Sequence, residues 1–194
     1  MRTLIALAAL LGAVLVFLGR PPATPRVEAG TALRMDIPAL ARTAELILEG
    51  HVLATHPRER EDGRIETEVL LQVERTFAGA DEVYRTLFLP GGVLPDGRGL
   101  ILPGVPGLRA GEDVLLFLTA AARSGVRMPV GLAQGKLGVV RQEGGAKALV
   151  RDDGGVGLLD PASGRIRHGR GVAVLDYATV VAEIEAARAG RQAR

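Results

Sequence analysis

The chain has 194 residues, with 24 Lys plus Arg against 22 Asp plus Glu, 3% aromatic residues and neither cysteine nor tryptophan. Lacking cysteine, it has no disulfide framework, no thiol nucleophile and no lipid-modified cysteine anchor. Lacking asparagine, it offers no N-glycosylation acceptor.

Met1-Arg2-Thr3 precedes an uncharged run from Leu4 to Leu18, followed by Gly19-Arg20-Pro21-Pro22. A positive start and an apolar stretch of about 15 residues, short of the roughly 20 that span a bilayer, read as a secretion signal. Val27 and Ala29 form the best small-residue pair for cleavage, which marks 1–29 as signal peptide or, uncut, as an N-terminal anchor. The rest is expected to be periplasmic or secreted, or tethered to the inner membrane through residues 4–18 alone. Those 29 residues hold Arg2, Arg20, Arg26 and Glu28, so 21 basic and 21 acidic side chains remain. The pI of about 9.5 therefore overstates the charge of the exported part. A neutral domain poor in aromatics lacks the basic footprint and stacking surface of a nucleic-acid groove.

Thr31 to Ala44 reads as a short helix, with Asp36 as its N-cap and Pro38 in its first turn. From Glu45 the period becomes two, placing Leu46, Leu48, Val52 and Ala54 on one face, with Gly50 at a bend or bulge. After the turn Glu61-Asp62-Gly63, the residues Ile65, Thr67, Val69, Leu71 and Val73 alternate with Arg64, Glu66, Glu68, Gln72 and Glu74. That pattern predicts antiparallel sheet with one core face and one solvated face. Val83 to Leu89 is a further strand, and a long Gly/Pro-rich loop covers Val93 to Gly111. Val114 to Leu118 is apolar on both faces, as in a central strand covered on both sides. Short strands follow at Val126 to Leu132, Lys136 to Gln142 and Ala146 to Arg151, the last two joined by a hairpin at Gly144-Gly145. Val156 to Leu159 and Arg165 to His168 form another hairpin. Asp176 then caps an amphipathic helix with Tyr177, Val180, Val181 and Ile184 on one stripe. Residues 30–187 make one domain and 188–194 a solvated basic tail.

These elements predict a mainly β protein, a small closed or partly open antiparallel barrel with a short N-terminal helix and a C-terminal amphipathic helix; a β-sandwich is the alternative. The glycines Gly50, Gly131 and Gly138, read as mid-strand bends, favour the barrel. The run Ala44 to Val52, then Thr67 to Glu74, Gly91-Gly92, Gly104 with Pro106, Gly111-Glu112, Leu116 to Leu118 and Gly131 to Lys136 resembles a group of exported bacterial proteins of unknown function. That group is similar to the OB-like barrel of netrin and metalloprotease-inhibitor (TIMP-like) modules. The likeness covers about residues 44 to 142 and rests on glycines and strand cores, so it implies a fold rather than an activity. TIMP-like inhibitors place an N-terminal cysteine on the protease zinc, a device this chain lacks. A secreted protease stays open as a partner by other means.

No catalytic or metal-ligating set emerges. Ser124 and Ser163 stand in turn contexts without a nucleophile elbow. His51 and His56 fall on opposite faces of one strand, distant in sequence from His168. Asp152-Asp153-Gly154-Gly155 lacks the ligand alternation of a calcium loop, and Gly131 to Leu137 lacks the spacing of a phosphate loop. Glu66, Glu68 and Glu74 are expected in solvent, and no cofactor is implied.

The apolar loop residues Leu100, Ile101, Leu102, Val105 and Leu108 either plug the barrel end or face a partner. Gln134 and Lys136 are weaker contact candidates at a strand edge. The expected role is a non-catalytic exported binding module for a protein partner or cell-envelope component. A structural envelope component and a hydrolase with a site assembled across strands are the alternatives.

Overall fold

A computed structural model describes residues 30–169 and 171–192; the signal or anchor expected over 1–29 lies outside the described residues. Among the described residues, no helix is long and apolar enough to cross a membrane. The chain is mainly β, with one large antiparallel sheet, one short early helix and one C-terminal helix.

The chain opens with β1 (Thr31–Leu33) and α1 (Ile37–Thr43), where Asp36 accepts from the Ala39 amide at 2.8 Å. Only the second half of the expected Thr31 to Ala44 helix is helical. The first half runs as β1, parallel to a strand far along the chain, β10 (Gly157–Leu159). Strands β2 (Leu46–Glu59), β3 (Ile65–Ala78) and β4 (Tyr84–Pro90) form a meander. Next come the two-residue strands β5 (Gly92–Val93) and β6 (Gly99–Leu100), then β7 (Asp113–Leu118), β8 (Lys136–Arg141) and β9 (Lys147–Asp152). After β10 follow β11 (Ile166–His168), β12 (Val172–Asp176) and α2 (Tyr177–Gln192). The large sheet runs β12-β9-β8-β7-β2-β3-β4, and β1-β10-β11 form a smaller one.

Strand periodicity divides the core in two. Ile47, Leu115, Phe117, Leu137 and Leu149 point to the face covered by α1 and α2, joining Leu40, Val180 and Ile184. Their neighbours Leu46, Leu48, Val52, Val69, Leu71, Leu87, Val114, Leu116 and Leu118 point the other way into a second core. The doubly apolar run of β7 thus lies between two cores. Each fully buried leucine contributes about 1.5–3 kcal/mol.

The β2–β3 pairing skips Leu53 on one strand and Glu74 and Phe77 on the other. Gly50 sits at one of these irregularities, and a Cβ there would lie 2.3 Å from the Gln72 carbonyl oxygen. The other two expected bend glycines do different work. Gly131 takes φ 67° at the start of a 3-10 turn over Leu132–Gly135, and Gly138 lies in regular strand where a Cβ would make only ordinary contact with Val150, at 3.8 Å.

The expected ring of strands is not closed by a continuous ladder, because β4 and β12 are the sheet's two edges. The segment expected as a strand over Val126 to Leu132 makes single bridges only: Phe88 with Val126, parallel, and Leu118 with Pro129, antiparallel. Pro129 has no amide to donate, and Gly131 and Leu132 both adopt positive φ, so pairing stops there. At the other end of the chain, α2 continues through 188. Arg188 is no solvated tail residue: it donates to the Ala41 and Ala44 carbonyls at 3.4 and 3.1 Å.

Candidate functional site

The loop after β4 is anchored by its glycines. Gly91 donates to the Ile65 carbonyl at 2.9 Å and accepts from the Thr67 hydroxyl at 2.7 Å. At Gly92, φ is 138° and a Cβ would stand 2.5 Å from Thr67 Oγ1, so no side chain fits. Beyond the β5–β6 hairpin, the Gly111 amide donates to the Val52 carbonyl at 2.8 Å, pinning the far end to the sheet.

Between loop and sheet lies a cavity of about 270 Å³ whose walls, among the described residues, carry no charge. Thr55, Pro57, Thr67, Val69 and Leu89 form its floor, and all five apolar candidates of the loop line it. Their exposure separates them. Leu102, Val105 and Leu108 are half-buried, Leu108 packing against the second core. Ile101 is 79% exposed, with Leu100 and Val93 exposed beside it. One loop therefore both covers the end of the second core and presents exposed apolar side chains at the base of its β5–β6 hairpin.

Gln134 and Lys136 are not at an accessible edge. Gln134 is 1% exposed: its Oε1 accepts from the Met35 amide at 2.8 Å, and its Nε2 donates to the Leu33 and Gly131 carbonyls at 2.9 and 3.0 Å. It latches β1 to the 3-10 turn. Lys136 Nζ donates to the Gly107 carbonyl at 2.9 Å and the Glu112 carboxylate at 2.7 Å, holding the base of the loop. Both are internal ties because the turn folds them inward.

A polar chain crosses the helix-covered face of the large sheet. Glu49, 2% exposed, accepts from Lys147 Nζ at 2.5 Å and from the Tyr177 hydroxyl at 2.6 Å. Lys147 reaches on to Glu74 at 2.8 Å, Glu74 accepts from Arg141, and Arg141 approaches Asp113 at 3.3 Å. Directly across the β2–β7 pair, His51 Nδ1 is 2.6 Å from Asp113. Hydrogen bonding from Lys147 holds the Glu74 carboxyl below its ordinary range. Burial works to raise Asp113, but His51 and Arg141 together leave it lowered. Burial and the bond to Glu49 push Tyr177 up. Lys147 resists burial through its two carboxylates and ends raised.

Glu66 is a correction to the expectation of a solvated acidic face. It is 1% exposed and accepts from Arg58 Nε and Nη2 at 2.9 and 2.7 Å and from Arg60 at 3.0 Å. Arg58 also lies 4.5 Å over the Phe88 ring. A carboxylate so enclosed acts as a structural counter-ion.

His51 and His168 are not brought together: His51 faces Asp113, while His168 lines a different cavity with Arg34 and Arg151. The serines are dispersed too, the Ser124 carbonyl accepting from Arg60 and Ser163 lying in the turn held by Asp160. Asp152 accepts from the Gly154 amide at 2.9 Å, as a hairpin turn requires. Among the described residues, no group of three or more His, Asp or Glu side chains is arranged to hold a metal. Sequence reasoning missed Glu49, Asp113 and Lys147, whose only sequence signal was a charge at a core-facing position of an otherwise apolar strand, and read Tyr177 only as part of the apolar stripe of the C-terminal helix. Comparison with protein-family models, with curated proteins and with solved structures gave no match.

Proposed function

We propose that the chain is a non-catalytic, exported binding module that engages a protein partner or cell-envelope component through the exposed apolar residues Val93, Leu100 and Ile101 of its 93–111 loop. The observation that carries this reading is the exposure of Val93, Leu100 and Ile101 on a loop pinned at both ends to the sheet. Clustered exposed apolar side chains mark interaction surfaces. A loop already held in place loses little conformational freedom when a partner docks. The paired state of the polar chain around Glu49 and Asp113 favours a structural role for those residues over acid–base work.

The scaffold of this module is an OB-like barrel made of β2, β3, β4, the 126–130 segment and β7. Support comes from the two bridges joining 126–130 to β4 and β7, and from the Val130 amide donating to the Phe117 carbonyl at 2.8 Å. The second apolar core would be its interior. The segment 4–18 delivers the domain across the inner membrane and, if uncut, keeps it there.

The test compares the wild-type chain with Leu100→Asp and Ile101→Asp as bait against its own periplasmic or secreted fraction. A partner retained by the wild type and lost by both variants, with melting temperatures unchanged, is expected. Equal recovery by all three baits would refute the proposal.

A further inference from the structure

A second cavity, of about 220 Å³, lies between the small β1-β10-β11 sheet and strands β9 and β12. Arg34 enters from the β1–α1 connection, Arg151 from β9, and Arg167 and His168 from β11; among the described residues, the one carboxylate in its lining is Asp153. Arg151 is the inner group. Its side chain is 15% exposed, and its Nε is buried without a hydrogen-bond partner. The nearest carboxylate oxygen, Asp153 Oδ1, stands 3.7 Å away, too far for a hydrogen bond, and is itself buried and unpartnered. Arg151 Nη2 has only a long 3.4 Å contact to the Met35 carbonyl. Asp36, whose charge also reaches Arg151, is engaged in capping α1.

A part-buried guanidinium whose buried Nε lacks a hydrogen bond is costly; the ion pair with Asp153 at 3.7 Å offsets that only in part, and the charge of Arg34 nearby adds to the cost. One carboxylate against three guanidiniums leaves the cavity cationic. We propose that it is a binding site for a small oxyanion, a phosphate or carboxylate group, seated on Arg151 and enclosed by Arg34, Arg167 and His168. The planar fork of arginine donors matches two oxygens of such a group. The volume is below the roughly 300–1,000 Å³ of sites for drug-sized ligands, which selects a single anionic group on a short stem.

Isothermal titration of the purified chain in chloride buffer tests this, with inorganic phosphate in one arm and malonate in the other. Saturable one-to-one binding of either anion is expected, and the arm that responds identifies the group recognised. Arg34→Gln and Arg167→Gln alter exposed residues and leave the fold intact; each is expected to weaken binding by about tenfold, the loss of one charge-assisted contact. Arg123→Gln, at a distant exposed position, is expected to change nothing. Saturation by neither anion, or affinity unaltered in both Arg34→Gln and Arg167→Gln, would overturn the assignment.

Discussion

The Lys147 ammonium lies 2.5 Å from a Glu49 carboxylate oxygen, joining the start of β9 to a residue that β2 buries beneath α2. Tyr177 closes the same carboxylate from the helix side at 2.6 Å. Three elements far apart in sequence meet on one buried charge. Lys147→Met is expected to leave that charge undercompensated and destabilise the fold by about 3–5 kcal/mol. Combining it with Glu49→Gln is expected to restore most of the loss. A double-mutant cycle by denaturant unfolding measures the coupling, and additive single effects would show that the pair is not linked.

The same chain of charges sets the expected pH response. Glu74 and Asp113 are lowered when folded, so their contribution is present above the ordinary carboxylate range and lost as pH falls below about 4. Tyr177 and Lys147 are raised, so theirs is complete below about pH 10 and lost on further alkalinisation. Melting temperature is therefore expected to fall below the acid limit and above the alkaline one. A Glu74→Gln variant is expected to show a shallower acid limb.

Gln134→Leu removes three hydrogen bonds from a residue with almost no solvent contact. The orphaned Met35 amide and Leu33 carbonyl are expected to cost about 1–3 kcal/mol each where water cannot replace the lost partner, while the Gly131 carbonyl keeps the residue 134 amide. Hydrogen exchange of the residue 31–35 amides is expected to accelerate well before the β7 amides respond. Uniform acceleration would place Gln134 in the global core instead of at a local latch.

Gly50→Ala drives a methyl group against the Gln72 carbonyl, where 2.3 Å is available. Backbone atoms on both strands must shift, so a loss of about 1–3 kcal/mol or more is expected. Gly138→Ala, with its nearest contact at 3.8 Å, is expected to be nearly neutral. Comparing the two midpoints in urea distinguishes a glycine required by close strand approach from one that is not.

Where sequence signals were local, they were legible. The caps at Asp36 and Asp176 each accept from an amide three residues on, β3 alternates between buried and exposed from Val69 to Gln72, and β7 is buried on both faces from Val114 on. Features set by distant partners were not. Thr31 to Leu33 became strand because Gly157 to Leu159 offers a parallel edge, and Val172 to Asp176 because β9 offers an antiparallel one. Glu66 alternates in sequence like a solvent-facing residue, yet Arg58 and Arg60 enclose it. For the candidate site, the apolar loop could be read from composition, but not which of its residues face outward. Ile101 and Leu102 are chemically alike, and only the folded loop separates them.

The central claim is that the exposed apolar residues around Ile101 contact a partner, and photo-cross-linking in the native host tests it directly. A photoreactive phenylalanine analogue is placed at Ile101 and, as control, at Glu143 on the exposed β8–β9 hairpin tip. The account predicts a discrete cross-link from position 101 to one envelope or secreted protein, absent from position 143. No adduct from 101, or the same adducts from both positions, would contradict it.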